Sequence, residues 1–150
     1  MNAVDVRELY EEHSVVLVSR EHPLACRRKV DLEELASHPW VLPSIDTPLR
    51  PKLNRMLSVH RSGPPAAGRD VQTDSPSLAF SLVRHAGLAW AVASRHAIWY
   101  ARHDELRVLE CTPHLLSGPI CAFTLRGGPL RNPTRVLIDC LADLARQTPT

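Results

Sequence analysis

The chain has 150 residues, 44% of them hydrophobic and 23% charged, with a net charge of +2. That is enough chain to bury a core in one or two small units, and too little concentrated charge for a nucleic-acid surface. No apolar run reaches membrane-spanning length, and no charged-then-apolar leader opens the chain, so a cytoplasmic protein with no membrane partner is expected.

Residues 13–20 hold Val15-Val16-Leu17-Val18, a continuous apolar run that predicts a strand buried on both faces. A loop with His22-Pro23-Leu24-Ala25 follows. It ends on Arg27-Arg28-Lys29, for which a solvated turn is a sufficient account. Asp31 caps a short predicted helix over 31–37, with Leu32 and Leu35 inward. Trp40-Val41-Leu42 reads as a strand stopped by Pro43, which has no N–H for a ladder. Thr47 is then the expected N-cap and Pro48 the first residue of a helix over 48–59, with Leu49, Leu53, Met56 and Leu57 inward.

Gly63-Pro64-Pro65 and Gly68 predict a loop. A short strand is expected over 69–73 and a helix opened by Asp74-Ser75-Pro76-Ser77, carrying Leu78, Leu82 and Val83. Gly87 closes that helix as a left-handed cap. Residues 88–92 predict another buried strand. Ser94 opens a helix to about 101 with Ile98 and Trp99, and 106–109 form a short strand. A strand over 119–125 follows, then a helix capped by Asn132 whose inner face is Val136, Leu137, Cys140, Leu141 and Leu144. Strands alternating with helices predict an α/β fold with mixed, mostly parallel sheets and helices on both faces.

Ligands in such sheets sit beyond the carboxyl ends of strands. Two hydroxyl-rich loops occupy such positions, 43–47 (Pro-Ser-Ile-Asp-Thr) and 73–77 (Thr-Asp-Ser-Pro-Ser). Side by side they would offer hydroxyls and helix-N-terminal N–H groups to a small carboxylate. Ordinary capping explains either loop alone, so the site rests on the pair.

Cys26, Cys111, Cys121 and Cys140 show no C-x-x-C spacing, and neither a zinc site nor a disulfide framework is implied. Cys121 and Cys140 fall on predicted core faces. His96 and His103 border one helix with no cysteine or carboxylate at ligand spacing, so no metal and no cofactor are expected. There is no G-x-S-x-G, P-loop, G-x-G-x-x-G or H-E-x-x-H pattern and no marked nucleophile–base pair, which argues against an enzyme.

The order of segments resembles the effector-binding domain of LysR-type transcriptional regulators. The similarity rests on Val15-Val16-Leu17-Val18-Ser19-Arg20-Glu21-His22-Pro23-Leu24-Ala25, on Val30-Asp31-Leu32-Glu33-Glu34-Leu35-Ala36 with His38-Pro39-Trp40-Val41, and on Asp46-Thr47-Pro48-Leu49-Arg50. Val71-Gln72-Thr73-Asp74-Ser75, Leu82-Val83, Gly87-Leu88-Ala89, Glu105-Leu106-Arg107-Val108-Leu109 and Leu137-Ile138-Asp139 extend it. No one motif is specific; their order is, from about Ser14 onward. The resemblance implies a type II periplasmic-binding-protein-like fold of two subdomains with a small, often aromatic, organic acid bound between them. The first subdomain, here partial, would be residues 1–38 plus 119–150, the second 40–109, with 110–118 crossing over. Carried over by position, the ligand-binding residues would be Ser44, Ile45, Thr47, Thr73, Asp74, Ser75, Ala91 and Val92.

Relative to that family, the winged helix-turn-helix, the linker helix and the opening strand–helix–strand of the first subdomain are not seen, and residues 1–12 are too few to replace them. The expected function is a ligand-sensing domain that controls transcription through a DNA-binding head absent from this chain. A homo-oligomer is expected, as is an exposed edge and apolar face in the first subdomain. A periplasmic-type solute-binding domain and a non-functional regulator fragment are the alternatives.

Overall fold

The computed structural model describes residues 4–61, 69–102, 105–112, 114–126 and 132–147. The predicted loop over 63–68 and His103 lie outside them. The chain divides into two compact units, Met1–Glu12 with Ser117–Thr150, and His13–Leu116.

The larger unit is built on a mixed sheet. Its strands are the second half of β1 (Val4–Ser19), β2 (Lys29–Asp31), β3 (Trp40–Leu42), β4 (Val71–Gln72), β5 (Ala89–Ala93) and β6 (Leu106–Thr112). Their order is β2-β6-β1-β5-β3-β4. β1 runs antiparallel to β5, with Val15 opposite Val92 and Val16 opposite Ala91, and antiparallel to β6 on its other side. β3 is parallel to both β4 and β5, and β2 is parallel to β6. The first four helices are α1 (Leu32–Ala36), α2 (Leu49–His60), α3 (Pro76–Ala86) and α4 (Ser94–Ala101).

The strand period of two divides the core between the faces of this sheet. Val16, Val18, Trp40, Leu42, Ala89 and Ala91 face Leu35, Leu53, Met56 and Leu57 of α1 and α2. Val15, Leu17, Val41 and Val92 face Ala79, Val83 and Ala97 of α3 and α4. Val15 to Val18 are at most 2% exposed, the two-sided burial that their unbroken apolar run predicts. Trp40 is fully buried and its indole Nε1 donates to the Leu35 carbonyl at 2.9 Å, so its polar atom is satisfied.

Gly87 ends α3 at φ 68°, ψ 24°. A Cβ there would meet nothing within 4 Å among the described residues, so backbone strain is what opposes a side chain. Gly87→Ala should lower stability by about 1 kcal/mol, read as a shift in the urea midpoint at constant m.

In the smaller unit the first half of β1 pairs with β7 (Ser117–Leu125), and α5 (Asn132–Gln147) completes it. Arg7 bonds Asp139 at 2.5 Å, and Arg126 bonds Asp5 at 3.0 Å. Here two expectations are corrected. The α5 face over Val136, Leu137, Cys140, Leu141 and Leu144 is exposed, Leu144 by 58%, whereas Ala142 and Ala145 are buried. Two strands supply too little surface to cover a 16-residue amphipathic helix, so its large apolar stripe stays open while its small residues are covered. For the same reason Cys140 is exposed and Cys121 only half-buried; Cys111 of β6 is the buried thiol. Phe123 and Leu125 of β7 are also open to solvent. Leu141→Glu should therefore change stability by no more than about 0.5 kcal/mol. If the stripe drives self-association, the same substitution should turn a concentration-dependent sedimentation profile into a monomeric one.

The compact units are drawn differently from the division expected over 1–38, 40–109 and 119–150. Residues 13–38 pack with 39–116 because β1 is one long strand whose second half lies between β5 and β6. Over 110–118, β6 continues to Thr112 and β7 begins at Ser117.

Candidate functional site

The two hydroxyl-rich loops do meet. β3 and β4 are parallel neighbours, with Val41 opposite Val71 and Leu42 opposite Gln72, so both release their chains at the same sheet edge. The Thr73 N–H donates to the Leu42 carbonyl at 3.1 Å. The Ser44 N–H donates to Asp74 Oδ1 at 2.8 Å and ties one loop to the other. Arg50, on the first turn of α2, closes the arrangement by donating to the Pro43 carbonyl and, at 3.0 Å, to Gln72 Oε1. Its Nε is held by Asn54 Oδ1 at 2.9 Å, one turn along the helix.

The hydroxyls are not equivalent. Thr47 does not cap α2. Its Oγ1 donates to the Ser44 carbonyl at 2.9 Å, and Pro48, with helical φ and ψ, stands at the cap position without a side-chain bond. The donors that a hydroxyl cap would serve are otherwise accounted for, because the Arg50 N–H donates to the Thr47 carbonyl at 3.2 Å and Pro51 has no N–H. Thr73 Oγ1 accepts from the Ser75 N–H at 3.1 Å, and Ser75 Oγ, the N-cap of α3, accepts from the Leu78 N–H at 3.4 Å. A hydroxyl that accepts still has its proton to give. Thr73 and Ser75 therefore keep a proton to donate, whereas Thr47 has already spent its proton on Ser44.

The Asp74 carboxylate accepts from the Ser44 N–H and adds negative charge where the two loops meet. Ile45 is 67% exposed at the loop tip. Ala91 and Val92 are 5% and 8% exposed and lie in the core on opposite faces of β5, paired to β1. The structure thus brings Ser44, Thr47, Thr73, Asp74 and Ser75 together and places Ala91 and Val92 among packed side chains. Arg50 is the residue whose role the sequence did not reveal: its contacts are set by the strand pairing rather than by local spacing.

Among the described residues no group of three or more His, Cys, Asp or Glu side chains is arranged to hold a metal ion, and no helix is long and apolar enough to cross a membrane. The basic turn is solvated and paired: Arg27 bonds Glu34 at 2.7 Å, and Arg28 and Lys29 lie 3.8 and 3.9 Å from Glu110.

A family model described as the LysR substrate binding domain matches residues 1–146. The chain belongs to that family. Solved LysR-family structures share its type II periplasmic-binding-protein-like fold. The CcmR regulatory domain of Synechocystis PCC6803, solved in complex with 2-PG, superposes with a TM-score of 0.74 at 14% identity, over 98% of this chain and 69% of that one. HinK, a LysR family transcriptional regulator from Pseudomonas aeruginosa, gives 0.73 at 16% identity, over 97% and 49%. The effector binding domain of QuiR in complex with shikimate gives 0.66 at 17% identity, over 97% and 66%. This LysR substrate-binding chain thus spans about half the length of the HinK chain and about two thirds of the CcmR and QuiR domains. No curated protein matches it.

Proposed function

We propose that this chain is a ligand-sensing, non-catalytic part of a cytoplasmic LysR-family transcriptional regulator, and that its effector is a small organic acid, aromatic acids included. The observation that carries the reading is the Ser44–Asp74 bond, which sets two hydroxyl-bearing strand–helix loops against each other at one sheet edge. In this reading the hydroxyls of Ser44, Thr73 and Ser75 donate to the acid's carboxylate. Arg50 holds the loops at the right separation from behind, and Asp74 competes with the ligand for the Ser44 N–H. The relatives solved with 2-PG and with shikimate lend support to a small polar ligand.

Regulation then works by population shift. An acid that binds one arrangement of the domain better than another changes the fraction of each, and an assembled homo-oligomer passes that change to DNA through a separate helix-turn-helix domain. The subdomain division expected from the sequence belongs to the same proposal.

The test is a thermal-shift screen of the chain against a panel of small organic and aromatic acids, because a ligand that binds only the folded state must raise the melting temperature. For an acid that shifts the parent, Thr73→Val should weaken binding about tenfold by removing one charge-assisted hydrogen bond. Asp74→Asn should tighten it several-fold by removing like charge. Unchanged affinity in both variants, or no shift with any acid in a cooperatively melting protein, overturns the site.

A further inference from the structure

The chain carries a concavity along one face of α3. Ser77, Phe80, Ser81 and Arg84 of α3, Trp99 and Tyr100 of α4, and Glu105 ahead of β6 line a cavity of about 620 Å³. That volume lies inside the range of roughly 300–1,000 Å³ typical of small-molecule sites. The groove begins at Ser77 in the first turn of α3, next to the loop cradle, but its charged end is distant: Arg84 is nine residues beyond the Ser75 cap, about 13 Å along the helix.

The groove has two kinds of surface. One is aromatic. The Tyr100 ring stands edge-on to Trp99, with centroids 5.0 Å apart, and packs against Trp90 at 5.2 Å and Phe80 at 5.8 Å. These contacts fix a platform while Trp99 keeps 59% of its surface in water. A platform of this kind fits a flat ring, with edge-to-face or offset stacking as the favoured geometry. The other surface is a pair of opposite charges: Arg84 Nη2 lies 2.5 Å from Glu105 Oε1, and both side chains are partly exposed, by 42% and 35%.

That pair selects among aromatic ligands. A ligand with only a carboxylate must take Arg84 from Glu105 and leave an unmatched anion at the site. A ligand with only an ammonium leaves an unmatched cation in the same way. A molecule with both exchanges one matched pair for two. We propose that this groove is a second small-molecule site whose ligand is a planar aromatic zwitterion, an aromatic amino acid being the simplest member of the class. It does not depend on the acid-binding reading of the loop cradle, and either can fail without the other.

The experiment is calorimetric titration of the chain with three probes that share one ring system: L-tryptophan, indole-3-propionate, which lacks the ammonium, and tryptamine, which lacks the carboxylate. The expected result is saturable one-to-one binding of L-tryptophan, about fivefold tighter than either single-charge probe. Trp99→Ala, at an exposed position where folding is not at risk, should weaken it by a similar factor. The double variant Arg84→Gln with Glu105→Gln, which leaves the platform intact, should erase the preference among the three probes. Absence of binding, equal binding of all three, or a Trp99→Ala variant that binds as tightly as the parent overturns the proposal. So does a concentration-dependent dimer that Trp99→Ala abolishes, because a second copy of the chain would then fill the groove.

Discussion

Arg61→Ala should unfold roughly 6–12 °C below the parent chain, a loss of about 3 kcal/mol. Arg61 stands just past the end of α2 and makes four bonds with one guanidinium. Its Nε donates to the Ala36 carbonyl at 2.7 Å and its Nη2 to the His38 carbonyl at 2.9 Å. Both terminal nitrogens also reach the Asp70 carboxylate, at 2.5 and 2.9 Å, in the bidentate geometry that only arginine provides. Asp70 in turn accepts from the Trp40 N–H at 2.9 Å. The side chains of the pair are only 15% and 18% exposed. This one residue thus joins the ends of α1 and α2 to the start of β3 and to the residue before β4, and its removal strands a mostly buried carboxylate and two carbonyls. Arg61→Lys should recover only part of the loss, since an ammonium cannot make all four bonds. A thermal or urea melt of the Ala variant that coincides with the parent's would show that the cluster contributes nothing to stability. Because β3 and β4 carry the loop cradle, the variant should also bind any effector acid more weakly.

The second large effect is a dependence of stability on pH. His22 is 6% exposed, its Nδ1 accepts from the Leu24 N–H at 3.2 Å, and its buried Nε2 has no hydrogen-bond partner among the described residues. The His38 ring lies 4.4 Å away, centroid to centroid. Burial, and secondly the neighbouring His38, lower its pKa from 6.5 to about 4. His38 is also lowered by burial, against the opposing pull of Glu34, which is itself engaged by Arg27. Above pH 6.5 neither the folded nor the unfolded chain protonates His22, and its contribution is fully present. Between 6.5 and 4 the unfolded chain takes up the proton and the folded chain does not, so stability falls with pH through that window. The loss from pH 7 to pH 4.5 should be about 2–3 kcal/mol for this group. His22→Gln, which keeps an acceptor for the Leu24 N–H and does not titrate, should lose that much less over the same range. Parallel stability–pH curves for parent and variant, from urea melts, would rule the effect out.

Much of the architecture is written in local patterns. The run Val15–Val18 can be satisfied only by burial on both faces, and it forms the strand between β5 and β6. The spacing of Leu53, Met56 and Leu57 fixes the buried face of α2, and Gly87 is where α3 ends because its backbone turns left-handed there at little cost. The order of these segments was also enough to show the LysR resemblance.

Other features depend on how the segments assemble. The α5 stripe has the same periodicity as the buried face of α2, yet it lies in water, because periodicity states which residues want cover and not whether enough surface is present to supply it. The loop pair was legible as two hydroxyl-rich strand ends. That Asp74 reaches the Ser44 N–H, that Thr47 turns back instead of capping, and that Arg50 spans both strands follow from the parallel register of β3 with β4, which brings residues 30 apart in the chain to 2.8 Å. The same holds for Arg61 with Asp70 and for Arg84 with Glu105: each residue alone reads as an ordinary surface charge. The sequence by itself determined most elements of the larger unit, the buried faces of β1 and α2, and the family. Tertiary structure decided which polar groups meet, because hydrogen bonds and ion pairs depend on distances of a few ångströms between segments whose separation along the chain carries no such information.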